Sequence, residues 1–138
     1  MQERQITLLL IEDQKFSTDL FTKTFNQYNI LVAHSGETGI KIYQEQRPDM
    51  VFLDIGLLDI SGFEVLERLR KFDPNAYIVM LSGMNNELYI KKCKELGAIG
   101  FLTKPYQKDY IQYYIDKFKE AHAAKDRPKV NINSQSDF

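Results

Sequence analysis

Met50-Val51-Phe52-Leu53-Asp54 is an apolar run that ends in a carboxylate. A short unbroken apolar run suits a strand buried on both faces, as in a parallel sheet. Gly56, two residues on, marks the end of that strand. Asp54 is therefore expected at the C-terminal edge of a central strand, the edge at which open α/β sheets bind ligands. A carboxylate there needs a partner, because an isolated buried charge is costly.

The pattern recurs on both sides of this stretch. Ile6-Thr7-Leu8-Leu9-Leu10-Ile11 reads as a strand and ends in Glu12-Asp13. Residues 30–33 form a short second strand. Residues 77–81 form a fourth, ending in Ser82-Gly83, and residues 99–102 a fifth, ending in Thr103-Lys104-Pro105. Segments of helical spacing separate them. The first, 16–27, keeps Leu20, Phe21, Thr24 and Phe25 in step, with Ser17 or Asp19 available to start it. The second, 37–46, follows Ser35 as cap, has Ile40 and Tyr43 on its inner side and stops at Pro48. The third, 61–72, spaces Phe63, Leu66, Leu69 and Arg70, and the fourth, 86–96, closes on Gly97. The last, 106–121, has Ile111, Ile115 and Phe118 as its inner stripe. This alternation predicts an α/β fold: a doubly wound, five-stranded parallel sheet with right-handed crossovers and helices on both faces. Residues 1–121 read as one domain. Residues 122–138, polar and containing Pro128, read as a tail or linker.

Composition narrows the function. The chain has 138 residues, 43% hydrophobic and 27% charged, which is a globular composition for one domain. A net charge of −1 provides no basic field for direct nucleic-acid binding. The single cysteine excludes an internal disulfide and fits a reducing compartment. The apolar run near the start is too short to span a membrane, and residues 1–5 lack a cleavage-site pattern. A cytoplasmic protein is the expectation.

Parallel strands place Glu12, Asp13, Asp54, Ser82 and Lys104 on one edge of the sheet. Three converging carboxylates repel unless a divalent cation joins them, and hard oxygen ligands suit Mg²⁺. Lys104 adds a second positive charge and Ser82 a hydroxyl donor. A carboxylate nucleophile between two cationic elements and a hydroxyl makes a phosphoryl-binding site.

Over residues 6–121 the chain resembles a response-regulator receiver domain of two-component and phosphorelay signalling, of the single-domain chemotaxis-like type. The resemblance rests on Leu10-Ile11-Glu12-Asp13, Leu53-Asp54, Ser61-Gly62-Phe63-Glu64, Leu81-Ser82-Gly83 and Gly97-Ala98-Ile99-Gly100-Phe101-Leu102-Thr103-Lys104-Pro105, in order on alternating strands. It implies a flavodoxin-like (βα)5 fold with strand order 2-1-3-4-5. It implies that Asp54 accepts a phosphoryl group from a phosphohistidine on a sensor histidine kinase or histidine phosphotransfer protein. Asp13 and Asp54 would ligate Mg²⁺, with Glu12 acting through water and the Gly56 carbonyl as a further ligand. Lys104 would pair with Asp54 and then with the phosphoryl oxygens, Ser82 would move to donate to them, and Phe101 would be the switch aromatic. The resemblance also implies a cis bond between Lys104 and Pro105, a downstream protein target at the last two helices, and a monomer or weak homodimer. The chain departs from the family pattern in Leu58, where proline is common, and in Ser82 and Phe101, where threonine and tyrosine are common.

Three other readings fare worse. A haloacid-dehalogenase-type phosphatase wants a second acid two residues after the nucleophile, where this chain has Gly56. A nucleotide or flavin module wants a glycine-rich loop after the first strand, and Glu12-Asp13-Gln14 is the opposite. A degenerate, scaffold-only receiver would lack one of the chemical residues, and none is missing. The reading is thus a phospho-accepting signalling module, catalysing only its own phosphotransfer and dephosphorylation. Elsewhere, His34 is expected exposed at a strand end, His122 in the tail, and Cys93 as an inert packed thiol. Lys91-Lys92-x-Lys94 reads as a solvated face. Tyr106, Tyr110, Tyr113 and Tyr114 are more aromatics than one inner stripe needs, so some are expected at the surface, favouring an interface.

Overall fold

The computed structural model describes residues 5–84 and 86–123. Its elements alternate: β1 (Thr7–Ile11), α1 (Lys15–Thr24), β2 (Asn29–Ala33), α2 (Gly36–Gln46), β3 (Met50–Asp54), α3 (Gly62–Phe72), β4 (Ile78–Ser82), α4 (Glu87–Glu95), β5 (Gly100–Thr103) and α5 (Lys108–Ala123). The strands are all parallel, in the order β2-β1-β3-β4-β5. This is the doubly wound α/β sheet that the alternation predicts. The order reverses between β1 and β3, so the ends of these two strands open onto the crevice where such sheets hold ligands.

β3 and β4 are buried along their whole length, and their side chains part to opposite faces with the period of two that a pleated strand imposes. Met50 and Phe52 join Leu8, Leu10, Val79 and Leu81 in a cluster covered by Phe21 of α1, by Phe25 just after it, and by Ile111, Ile115 and Phe118 of α5. Val51 and Leu53 join Leu9, Ile11, Ile78 and Met80 on the other face, beneath Ile40 and Tyr43 of α2, Leu66 and Leu69 of α3, and Cys93 of α4. Each fully buried side chain of this size contributes roughly 1.5–3 kcal/mol. That burial is what fixes the register: a one-residue slip of β3 would exchange its two faces.

Several helices begin on side-chain caps directly after a loop at this edge. Ser35 accepts from the amide of Thr38 at 3.2 Å, Ser61 from Glu64 at 3.2 Å, and Asn86 from Leu88 at 2.8 Å. α1 does not: Gln14 precedes it without a side-chain cap bond, and Asp19 pairs instead with Lys15 at 2.8 Å. Neither Ser17 nor Asp19 starts that helix. Its inner residues are Thr18, Phe21 and Phe25, while Leu20 and Thr24 turn outward, Leu20 being 56% exposed. α5 runs to Ala123, two residues past the expected domain boundary, and His122 stacks on Phe118 within its last turn rather than lying in a tail. The expected tail otherwise falls on residues 124–138, outside those described. Of the tyrosines on and before α5, Tyr110 and Tyr113 are exposed but Tyr114 is buried. Gly100 makes the room: a Cβ there would overlap the ring and hydroxyl of Tyr114.

Candidate functional site

The strand alternation carries past the strand ends. Glu12, Asp54 and Lys104 keep the even parity of Leu10, Phe52 and Leu102, which face α1 and α5. Asp54 is 6% exposed and Glu12 2% exposed, so both carboxylates are nearly dry. Lys104 lies between them, its Nζ 2.5 Å from Glu12 Oε1 and 3.1 Å from Asp54 Oδ2. The other oxygen of Asp54 accepts from the amide of Gly56 at 3.1 Å. Glu12 is fixed at its second oxygen by the amide of Gln14 at 3.1 Å, which ties it to the start of α1.

These contacts set the charge balance. Burial raises the pKa of Asp54 above the usual carboxylate range, and the Lys104 ammonium and the Gly56 amide pull against that rise. Burial works against the charge on Lys104, but its bonds to Glu12 and Asp54 outweigh it and hold the ammonium protonated. The lysine is thus the resident countercharge of a dry acidic pocket.

Glu12, Asp13 and Asp54 each bring a carboxylate oxygen to within 4.8 Å of the others. That spacing and that donor set fit a hard divalent cation such as Mg²⁺, which needs few protein oxygens and keeps several waters. Asp13 is the most solvated of the three.

Ser82 is buried, and its hydroxyl is engaged within the β4–α4 loop: it accepts from the Met84 amide at 3.0 Å and donates to the Met84 carbonyl at 3.1 Å. Phe101 is half-buried on the α4 side of β5, against the cluster that contains Met80 and Cys93. The peptide between Lys104 and Pro105 is cis. His34 is exposed with Nδ1 3.2 Å from the Glu12 carbonyl, and burial pushes the Cys93 thiol up to about 11. Both fit their expected minor parts. The structure therefore gathers Glu12, Asp13, Asp54, Gly56 and Lys104 into one pocket, places Ser82 at the adjoining strand end with its hydroxyl engaged by the β4–α4 loop, and leaves Phe101 on the α4 side of β5.

Two contributors escaped the sequence reading. Gly62 at the start of α3 lies against the acceptor strand: a Cβ there would sit 2.5 Å from the Asp54 carbonyl oxygen and 2.5 Å from Ile55 Cα. Since both are backbone, no side chain fits without displacing Asp54. Beside the pocket, a groove of about 500 Å³ runs along α1, lined by Phe16, Leu20, Phe21, Lys104, Pro105 and Tyr106 among others. Phe16 is 80% exposed in it. The helical spacing of Leu20 is the signal in the sequence that hinted at it.

A parallel α/β sheet with an acidic, lysine-bridged pocket at its switch point defines the class. Comparison with known proteins agrees. Residues 8–116 match the family model for the response regulator receiver domain. The chain is 31% identical over 106 residues to the chemotaxis protein CheY of Halobacterium salinarum, spanning 75% of this chain and 88% of that one. It is 29% identical over 113 residues to the sporulation initiation phosphotransferase F of Bacillus subtilis, spanning 80% and 91%. Among solved structures it is similar to the CheX–CheY–BeF3–Mg complex of Borrelia burgdorferi, with a TM-score of 0.77, 27% identity, and 81% of this chain and 87% of that chain covered. This chain belongs to the response regulator receiver domain family, the receivers of two-component signalling.

Proposed function

We propose that the chain takes a phosphoryl group from a partner phosphohistidine onto Asp54 in a Mg²⁺-dependent reaction. The observation that carries this reading is the convergence of three carboxylates and Lys104 at one strand-end pocket. An oxygen of Asp54 attacks phosphorus in line with the breaking P–N bond, and the donor imidazole leaves. Asp54 then holds an acyl phosphate. Asp13 and Asp54 would ligate Mg²⁺, with Glu12 acting through water and the Gly56 carbonyl as a further ligand. Bound there, Mg²⁺ would offset charge on the transferring group. Lys104 releases Asp54 and follows the phosphoryl oxygens, keeping Glu12 as its anchor. Ser82 leaves the Met84 carbonyl to donate to the phosphoryl, which remodels the β4–α4 loop, and Phe101 relays the change to the face made by the last two helices.

The donor must bring its imidazole to the mouth of the Asp54 pocket. The apolar groove of Phe16, Leu20, Pro105 and Tyr106 adjoins Lys104 and gives the donor protein its footing. Residues 1–121, with α5 completed at Ala123, act as the receiver. The domain works in the cytoplasm as a monomer or weak homodimer. No helix of the described residues is long and apolar enough to cross a membrane.

The test is incubation with Mg²⁺ and a small acyl phosphate, followed by intact mass. Wild type gains one phosphoryl group, labile to hydroxylamine, and Asp54→Asn gains none. Normal labelling of Asp54→Asn refutes the assignment.

A further inference from the structure

We infer that Asp59 is a positioning residue for the metal site, holding the β3–α3 loop against the N-terminus of α2 so that Gly56 is presented to the ion. This rests on the Mg²⁺ site proposed above.

The loop from Ile55 to Ser61 has little packing at its tip. Gly56 is exposed and Leu58 is 90% exposed. Its ends are fixed by backbone bonds, the Ile55 amide to the Leu81 carbonyl and the Gly62 amide to the Ile55 carbonyl, each 2.9 Å. Between these ends the polar anchor is Asp59. One of its oxygens accepts from the Gly36 amide at 2.8 Å and the other from the Glu37 amide at 2.9 Å. Those amides belong to the first turn of α2, which has no intrahelical partners for them. Ser35 satisfies the next one, Thr38, and the Gly39 amide makes the first helical bond, to the Ser35 carbonyl. The free donors at the start of α2 are thus shared between its own cap and a carboxylate from the metal-binding loop. Gly36 lets the two segments close up: a Cβ there would come within 2.6 Å of Ile60 and 2.7 Å of Val65.

Asp59 touches neither the acceptor nor the proposed ion. Its effect runs through the loop backbone to Gly56, whose amide orients Asp54 and whose carbonyl is the proposed ligand. Losing the clamp lets a glycine-containing loop sample conformations that turn that carbonyl away.

The experiment is calorimetric titration of the full chain with Mg²⁺ for wild type, Asp59→Ala, Asp59→Asn, Ser35→Ala and Asp13→Ala. Asp59→Ala is expected to weaken Mg²⁺ binding about 10-fold, in the range seen when groups that orient metal ligands are removed. Asp59→Asn keeps one acceptor oxygen and loses less; it also carries the comparison should the alanine variant not fold. Ser35→Ala weakens the same helix end without touching the loop and keeps wild-type affinity. Loss in Asp13→Ala but not in the Asp59 variants overturns the positioning role alone. An equal loss in Ser35→Ala also overturns it, since that would be general loosening of α2. No loss in any variant, Asp13→Ala included, overturns the metal site and the positioning role together.

Discussion

The ammonium of Lys104 stands 3.1 Å from an oxygen of Asp54 while it holds Glu12 at 2.5 Å. Glu12 is the more deeply buried of the two carboxylates and is pinned at its other oxygen. The lysine is thus tethered to a fixed acid and free to follow a changing one. Replacing it separates phosphoryl stabilisation from metal binding. Lys104→Met should slow labelling of Asp54 by about 100-fold, the size expected when a preorganised donor is removed from a charge-developing site. Mg²⁺ binding should be equal or tighter, because a competing cation is gone. Labelling kinetics with a small donor and a Mg²⁺ titration check both halves.

Phe16 exposes most of its ring beside that pocket. Phe16→Ala should slow transfer from a phosphohistidine-bearing protein by about 10-fold or more, the cost of losing one apolar anchor at an interface. Transfer from a small acyl phosphate, which needs no footing, should not change. Equal slowing with both donors would place Phe16 in the chemistry instead.

At the far edge of the sheet the Tyr43 hydroxyl donates to Asp73 at 2.6 Å. That bond, foremost, holds the Asp73 carboxyl below its ordinary range. A lowered folded-state pKa stabilises above the unfolded value, about 3.9, and the benefit is lost as pH falls through the folded one. Tyr43→Phe should therefore cost about 1 kcal/mol at neutral pH, a small figure because Asp73 keeps solvent contact. The gap to wild type should close below the ordinary aspartate range. Urea unfolding of both proteins across the acid range measures it.

In the chemistry proposed above, loss of the phosphoryl group would need a water placed in line behind phosphorus. Gly56 and Met84 stand two residues after Asp54 and Ser82; one has no side chain and the other an apolar one, so neither side chain orients a water. A Cβ at Gly56 would meet nothing nearer than Asp54 Oδ1 at 3.9 Å, so a larger residue fits there. Gly56→Asn with Met84→Glu should lose its phosphoryl group faster than wild type, by about 10-fold. Following decay of the phosphorylated protein in Mg²⁺ tests this, and equal or slower decay of the double variant would refute it.

Much of this pocket could be read in the chain because each strand announces its own end. Ile11-Glu12, Leu53-Asp54, Leu81-Ser82 and Leu102-Thr103-Lys104 all pass from apolar to polar at the sheet's edge. Parallel strands then bring those ends together without further information. What stayed hidden depends on contacts between distant segments. Tyr114 is core because Gly100, fourteen residues away, leaves it space. Leu20 keeps helical spacing but faces a groove, because Thr18 takes the inner place. Asp59 looks like a solvated turn residue until α2 is seen to begin against it. The loop that occupies the Ser82 hydroxyl is likewise invisible in composition.

Asp54 and Lys104 follow the parity of the α1–α5 face, while Ser82 and Phe101 follow that of the α4 face. The sheet is therefore a partition with different tenants on its two sides. The groove beside Lys104 and the face that holds Phe101 thus lie on different sides of the sheet.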